Sequence, residues 1–110
     1  MLFNIFNTQE KSFKKLRKYA SYYNTDKRLW GYLEKYNKHF YKNRYREQNM
    51  LEIGVKRKTK KSPGASSLKV WRKYFPNSII NGIDIDPINK NYEEKNINIF
   101  IGDQGDKTFL

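Results

Sequence analysis

Residues 49–101 alternate short apolar runs with helical or polar segments, and this alternation constrains the fold more than any other feature of the chain. The apolar runs lie at residues 50–55, 78–87 and 97–101, and each has the length of a β-strand. Strands that are joined by helices or long connectors lie parallel in one sheet, with right-handed crossovers. The pattern therefore predicts an α/β fold with three parallel strands in its second half.

A helix is predicted between the first two apolar runs. Leu68, Trp71 and Phe75 recur at three- and four-residue spacing, so they share one helical face. Residues 62–67 supply a turn and the start of the helix, with a serine available as its N-cap, and Pro76 ends it.

The residues before the sheet, 1–47, are predicted to form a helical lead-in. Apolar residues at helical spacing predict two helices there, with an N-cap for the second helix in residues 24–26. We therefore divide the chain into the lead-in, 1–47, and a partial Rossmann-like domain, 48–110. The apolar faces are Phe13, Leu16, Ala20 and Tyr23 in the first helix and Leu29, Leu33, Tyr36 and Phe40 in the second.

Composition excludes several classes of protein. The chain has no Cys and one His, so a thiolate metal centre is excluded and no metal site is predicted. No apolar run approaches the roughly 20 residues of a membrane-spanning helix, so we expect a soluble, cytoplasmic protein without a membrane partner. The net charge is +12, and 20 of the 23 Lys and Arg residues lie before residue 76, several of them in residues 56–61. A nucleic-acid-binding module is therefore an alternative prediction, although a solvated basic surface explains the same charge.

Polar groups accompany the end of each predicted strand. Glu52 and Gly54 lie at the end of the first strand, Asp84 at the end of the second, and Asp103 and Gln104 follow the third. Ligands of open parallel sheets bind at the carboxyl ends of the strands. Glycine lets the backbone approach a ligand, and an acid after the second strand commonly accepts hydrogen bonds from ribose hydroxyls. The three strand ends together predict one site for a nucleoside-like ligand.

Several short segments carry a resemblance to a known family. With them the chain resembles the class I S-adenosylmethionine-dependent methyltransferases over about residues 20–107, and among these the macrolide-sugar O-methyltransferases of the demethylmacrocin type. Thr25-Asp26-Lys27 is similar to part of the helical lead-in of that branch. The other segments are Leu51-Glu52-Ile53-Gly54-Val55, Gly64-Ala65-Ser66-Ser67-Leu68-Lys69-Val70-Trp71, Tyr74-Phe75-Pro76-Asn77, Gly82-Ile83-Asp84-Ile85-Asp86 and Gly102-Asp103-Gln104.

The resemblance implies a Rossmann-like methyltransferase fold, of which this chain holds the N-terminal half only, the helical lead-in and three parallel strands. It implies S-adenosylmethionine as cofactor, and Mg²⁺ because members of this branch often need it. It also assigns a role to each matching position. Glu52 and Gly54 would line the methionine portion of the cofactor, Asp84 would bind the ribose hydroxyls, Asp103 with Gln104 would lie at the adenine, and Ser66 or Ser67 would contact the cofactor carboxylate.

The activity implied is methyl transfer to a hydroxyl of a sugar or other small molecule, by this chain or by an enzyme of which it is a fragment. Asp26 and His39 are the only conceivable bases, and neither is a strong candidate. No catalytic residue is therefore predicted. A second chain that completes the sheet is an expected partner.

Two other functions are considered for the same residues. One is a catalytically inactive remnant of a methyltransferase. The other is a dinucleotide oxidoreductase, but Gly54 and Gly64 are the only glycines near the first strand, so the Gly-x-Gly-x-x-Gly spacing is absent.

Overall fold

A computed structural model describes residues 2–25, 31–55 and 64–109 of the chain. Two short 3₁₀ helices, Tyr41–Asn43 and Pro87–Tyr92, interrupt the connections between its longer elements. Within these ranges the longer elements follow in the order α1 (Leu2–Tyr22), α2 (Tyr32–Phe40), β1 (Asn49–Ile53), α3 (Ser66–Tyr74), β2 (Ile79–Asp84) and β3 (Ile97–Ile101).

The three strands form one parallel sheet in the order β1-β2-β3. Leu51 of β1 is paired with Asn81 of β2, which is paired in turn with Asn98 of β3. The predicted α/β fold, with three parallel strands in its second half, is confirmed.

Helix α3 covers one face of this sheet. Ile80 and Ile99 on that face are buried, and a Cβ atom at Gly82 would lie 2.8 Å from side-chain atoms of both Leu68 and Val55. The missing side chain at Gly82 therefore lets the helix pack closely on the middle strand. On the opposite face four large apolar side chains are exposed, Leu51, Ile53, Ile79 and Phe100.

Helix α1 packs on α2 and α3 rather than on the sheet, and aromatic side chains connect α2 to α3. Leu16, Ala20 and Leu33 are buried, which confirms the helical spacing predicted for the lead-in. Aromatic rings join α2 to α3 in edge-on contacts, with centroids 5.2 Å apart for Tyr36 and Trp71 and 5.6 Å apart for Phe40 and Phe75. The molecule thus has three layers, the sheet, α3 and the lead-in. None of the described helices is long and apolar enough to cross a membrane.

Tyr74, which is fully buried, lies at the centre of a polar network between the lead-in and α3. Its hydroxyl donates to Asn37 Oδ1 at 2.7 Å, and Asn37 Nδ2 donates to the Gln9 carbonyl at 2.9 Å. The buried Arg44 donates through Nε to the Tyr74 carbonyl and through Nη1 to Ser12 Oγ, and its guanidinium lies over the Tyr74 ring. Each of these buried polar groups thereby gains a partner, as burial requires.

The side-chain N-caps predicted for the second and third helices are wrong. A residue with left-handed backbone, Gly31 before α2 and Ala65 before α3, occupies each N-cap, and neither helix has a side-chain cap. Thr25, from the predicted cap of the second helix, instead shares a 3.0 Å hydrogen bond with Ser67 in the first turn of α3. Asp26, Leu29 and the serine at position 62 lie outside the described residues.

We predict that Tyr74→Phe lowers the free energy of unfolding by about 1–3 kcal/mol, because Asn37 Oδ1 stays buried without its donor. Burial raises the pKa of Tyr74 to about 12, although Arg44 lowers it. In the unfolded chain the Tyr74 hydroxyl loses its proton near pH 10, whereas in the folded chain it keeps the proton until about pH 12. The free energy of unfolding therefore falls as the pH rises from about 10 to about 12. Tyr74→Phe should reduce that fall in denaturant titrations.

Tyr22→Phe is the matched control, since the Tyr22 side chain is 79% exposed. Equal stability of the two variants, or an unchanged alkaline fall in Tyr74→Phe, would contradict the network.

Candidate functional site

A cavity of about 250 Å³ lies at the carboxyl ends of the three strands. Each strand contributes the residues that end or follow it, so the cavity lies where ligands of open parallel sheets bind. Four of the seven residues predicted for the site line it: Gly54, Asp84, Asp103 and Gln104. Ile53, Ile83, Ile85 and Gly102 complete the lining.

Gly54 turns the chain sharply as it leaves β1. Its φ angle is +92°, which L side chains rarely adopt, and its N–H donates to the Ile83 carbonyl at 2.8 Å. A Cβ atom at this position would meet no heavy atom within 4 Å. Gly54 therefore presents bare backbone to open space, as predicted for close approach to a ligand.

Asp84 holds the ends of β1 and β2 together through its carboxylate. Oδ2 accepts the N–H of Val55 at 2.7 Å, and Oδ1 accepts the N–H of Asp86 at 2.9 Å. Partial desolvation raises the pKa of Asp84, but hydrogen bonds to the carboxylate, chiefly from the backbone N–H groups of Asp86 and Val55, lower it by more, so the net pKa lies below its ordinary value.

Asp103 and Gln104 are exposed at the third strand end. Asp103 Oδ1 accepts the N–H of Gly105 at 2.8 Å, which orders the turn. The ring of Phe109 occupies the space that a side chain at Gly102 would need. This position of Phe109 could not be predicted from the sequence, because no pattern relates it to a strand that ends eight residues earlier.

The other three predicted site residues do not line the cavity. Glu52 precedes Gly54 by two positions and is half-buried within β1. Ser66 is buried at the start of α3, and the hydroxyl of Ser67 is bonded to Thr25. These three residues lie around the start of α3 and the middle of β1 rather than at the strand ends.

Neither of the two bases considered from the sequence is among the residues that line the cavity. His39 is exposed on α2, in the lead-in, and Asp26 and the basic loop 56–61 lie outside the described residues. No group of three or more His, Cys, Asp or Glu side chains close enough to hold a metal ion occurs in the described ranges.

Comparison with known proteins shows a consistent relationship. Demethylmacrocin O-methyltransferase of Streptomyces fradiae is 35% identical over 95 residues, which cover 83% of this chain and 23% of that protein. Mycinamicin VI 2''-O-methyltransferase of Micromonospora griseorubida is 37% identical over 76 residues, 68% of this chain and 18% of that protein. No family model matches the chain.

Comparison with a solved structure shows the same relationship. The methyltransferase MycE of the mycinamycin pathway, in complex with Mg and SAH, matches 86% of this chain with a TM-score of 0.76 and 33% identity. The match covers 25% of MycE, and another crystal of that enzyme also contains mycinamycin VI. The resemblance predicted from the sequence is confirmed, and the comparisons do not favour the nucleic-acid-binding alternative. The chain spans about a quarter or less of the length of the relatives it matches.

Proposed function

We propose that this relative of the macrolide-sugar O-methyltransferases binds S-adenosylmethionine in the cavity at the ends of its strands. The observation that supports the proposal most is that four residues implied by the resemblance meet at one cavity, although 50 residues of sequence separate the first from the last. As the cavity is smaller than the roughly 300–1,000 Å³ of most small-molecule sites, we propose that the chain forms one side of the binding site.

The cavity suits the parts of this cofactor. Ile53, Ile83 and Ile85 offer apolar surface to the nucleoside, and the bare backbone of Gly54 admits the methionine portion. A carboxylate has about four acceptor positions, so Asp84 keeps capacity for a ribose hydroxyl beside its bonds to the protein. On the same reasoning, the exposed Asp103 and its neighbour Gln104 receive the amino group of the adenine.

The reaction proposed is methyl transfer to a sugar hydroxyl. When bound, S-adenosylmethionine supplies a methyl group on a positively charged sulfur. The C–S bond breaks as a C–O bond forms to the acceptor, and the hydroxyl proton leaves to a base. Positioning of the two reactants dominates such a displacement, and the chain's contribution is to hold the nucleoside in place. A sugar acceptor is proposed because the chain resembles the macrolide-sugar O-methyltransferases, and the relatives named above are O-methyltransferases of demethylmacrocin and mycinamicin VI.

No Mg²⁺ ligand is assigned in the described residues. The related MycE was solved with Mg, and Mg²⁺ takes oxygen ligands, often one or two carboxylates together with water. The described ranges hold no group of three or more His, Cys, Asp or Glu side chains that could hold a metal ion, so we derive no step through Mg²⁺.

Isothermal titration of the chain with S-adenosylhomocysteine tests the cofactor proposal. We expect one-site binding that Asp103→Ala weakens about 2–10-fold, the effect of one lost hydrogen bond. Asp106→Ala is the matched control, since Asp106 is also exposed and also accepts a backbone N–H two residues on, from Thr108 at 2.9 Å, but does not line the cavity. Absence of binding, or an equal loss in both variants, would contradict the proposal.

The two outer edges of the sheet differ, and the difference supports a partner for β1. At the edge of β3, Ile97 is paired with the backbone of Glu94, the N–H of Ile99 donates to Glu93 Oε2 at 2.8 Å, and Lys90 Nζ donates to the Ile99 carbonyl at 2.7 Å. This edge is therefore closed by the connector that precedes it. A closed edge cannot accept a further strand.

The edge of β1 is open in the described part of the chain. Gln48 and Gly54 hydrogen-bond to β2, so the alternate residues of β1, among them Leu51 and Ile53, direct their backbone groups away from β2. Their side chains are 59% and 55% exposed, and parallel sheets are normally covered on both faces. We therefore propose that another polypeptide segment adds a strand beside β1 and covers the face that α3 leaves open.

Amide hydrogen exchange tests this second proposal. In the chain alone we expect the amides of Leu51 and Ile53 to exchange quickly, while those of Glu52 and Ile99 are protected. Adding the part of the Micromonospora griseorubida enzyme that this chain does not match should slow exchange at Leu51 and Ile53. Protection of Leu51 in the chain alone, or exchange that the added polypeptide leaves unchanged, would contradict the proposal.

A further inference from the structure

The loop that follows β3 returns to the end of that strand through one aromatic side chain. The residues from 103 to 108 are all exposed, whereas Phe109 is half-buried. Its ring packs on Gly102, the first residue after β3. A Cβ atom at Gly102 would lie within 3.0 Å of atoms of the ring, a distance that real Cβ atoms essentially never show. The loop therefore begins and ends at the same point, and the ring of Phe109 closes it.

Gly102 is held in place by the sheet. Its N–H donates to the Asp84 carbonyl at 2.9 Å, so the pairing of β2 with β3 extends one residue beyond β3. Unlike Gly54, it has a φ angle outside the left-handed region, and an L side chain would suit its backbone. The ring of Phe109, rather than the backbone conformation, is therefore what requires a glycine at position 102.

Hydrogen bonds within the loop turn the chain back toward the end of β3. Asp103 accepts the Gly105 N–H on its side chain at 2.8 Å and the Asp106 N–H on its carbonyl at 3.0 Å. The Asp106 carboxylate accepts the N–H of Thr108 at 2.9 Å. Both side-chain bonds are exposed, and a hydrogen bond that replaces one with water contributes only modestly. The apolar contact of Phe109 adds the burial that holds the loop closed.

We infer that Phe109 is a positioning residue of the cofactor site, whose ring, packed on Gly102, holds Asp103 and Gln104 at the cavity. The inference rests on the proposed function, in which these two residues receive the amino group of the adenine. Gly102, Asp103 and Gln104 line the cavity and Phe109 does not, so Phe109 acts through the loop. A loop that is ordered before the ligand arrives lowers the entropy cost of binding.

Selectivity for the amino group tests this role. Isothermal titration compares S-adenosylhomocysteine with S-inosylhomocysteine, in which an oxygen replaces the amino group of the base. We expect Phe109→Ala to weaken binding of S-adenosylhomocysteine about 3–10-fold, the effect of a lost hydrogen bond, and to leave binding of the inosine analogue nearly unchanged. Thr108→Ala is the control, since its side chain is exposed and its backbone N–H makes the bond within the loop. It should change neither affinity.

A double-mutant cycle with Gly102→Ala tests the contact itself. The added methyl group displaces the ring, so Gly102→Ala should lower the selectivity as Phe109→Ala does. In the double variant the methyl group has the space that the ring has left, so the double variant should bind as Phe109→Ala alone does. Losses that multiply in the double variant would overturn the inference, as would equal weakening of both ligands by Phe109→Ala.

Proton nuclear magnetic resonance of the ligand-free chain separates this inference from the proposed function. The α-protons of Gly102 should show a ring-current shift that Phe109→Ala removes, and the amides of Gly105 and Asp106 should exchange faster in that variant. Resonances of Gly102 that Phe109→Ala leaves unchanged would overturn the inference. Failure of the wild type to bind S-adenosylhomocysteine would contradict the proposed function instead, and the Gly102 resonances would still decide whether Phe109 holds the loop.

Discussion

The carboxylate of Asp84 joins the two strand ends on which the cavity depends. Through the N–H groups of Val55 and Asp86 it ties the end of β1 to the turn after β2. Beside this carboxylate the chain turns at Gly54, which has a left-handed backbone conformation. The same acid therefore shapes the cavity and offers its charge to a ligand.

Much of the fold could be predicted because it depends on local patterns. A strand or helix that is buried on one face has apolar residues at a regular spacing, and this spacing is visible in the sequence. Examples are the alternation at Ile97, Ile99 and Ile101 and the helical spacing in α3. The Tyr74–Arg44 network could not be predicted in this way. Its partners lie 30 or more residues apart, so it depends on how the lead-in docks on α3.

In the candidate site, too, some residues could be predicted from the sequence and others could not. Gly54, Asp84 and Asp103 were predicted because the carboxyl ends of parallel strands meet at one edge, whatever the details of packing. Glu52 lies two residues before the turn at Gly54, within the strand. Phe109 carried no signal in the sequence, since an exposed polar loop separates it from the strand end on which its ring packs.

The central claim is that the ends of the three strands form the cofactor site, and nuclear magnetic resonance tests it most directly. On addition of S-adenosylhomocysteine, we predict that the largest amide shift changes occur at Gly54, Gly102 and Asp103. A second cavity, of about 350 Å³, lies between α1 and α2 and is lined by Phe13 and Glu34. The claim would be contradicted if the largest amide shift changes occurred there, or if saturating ligand caused no shift changes.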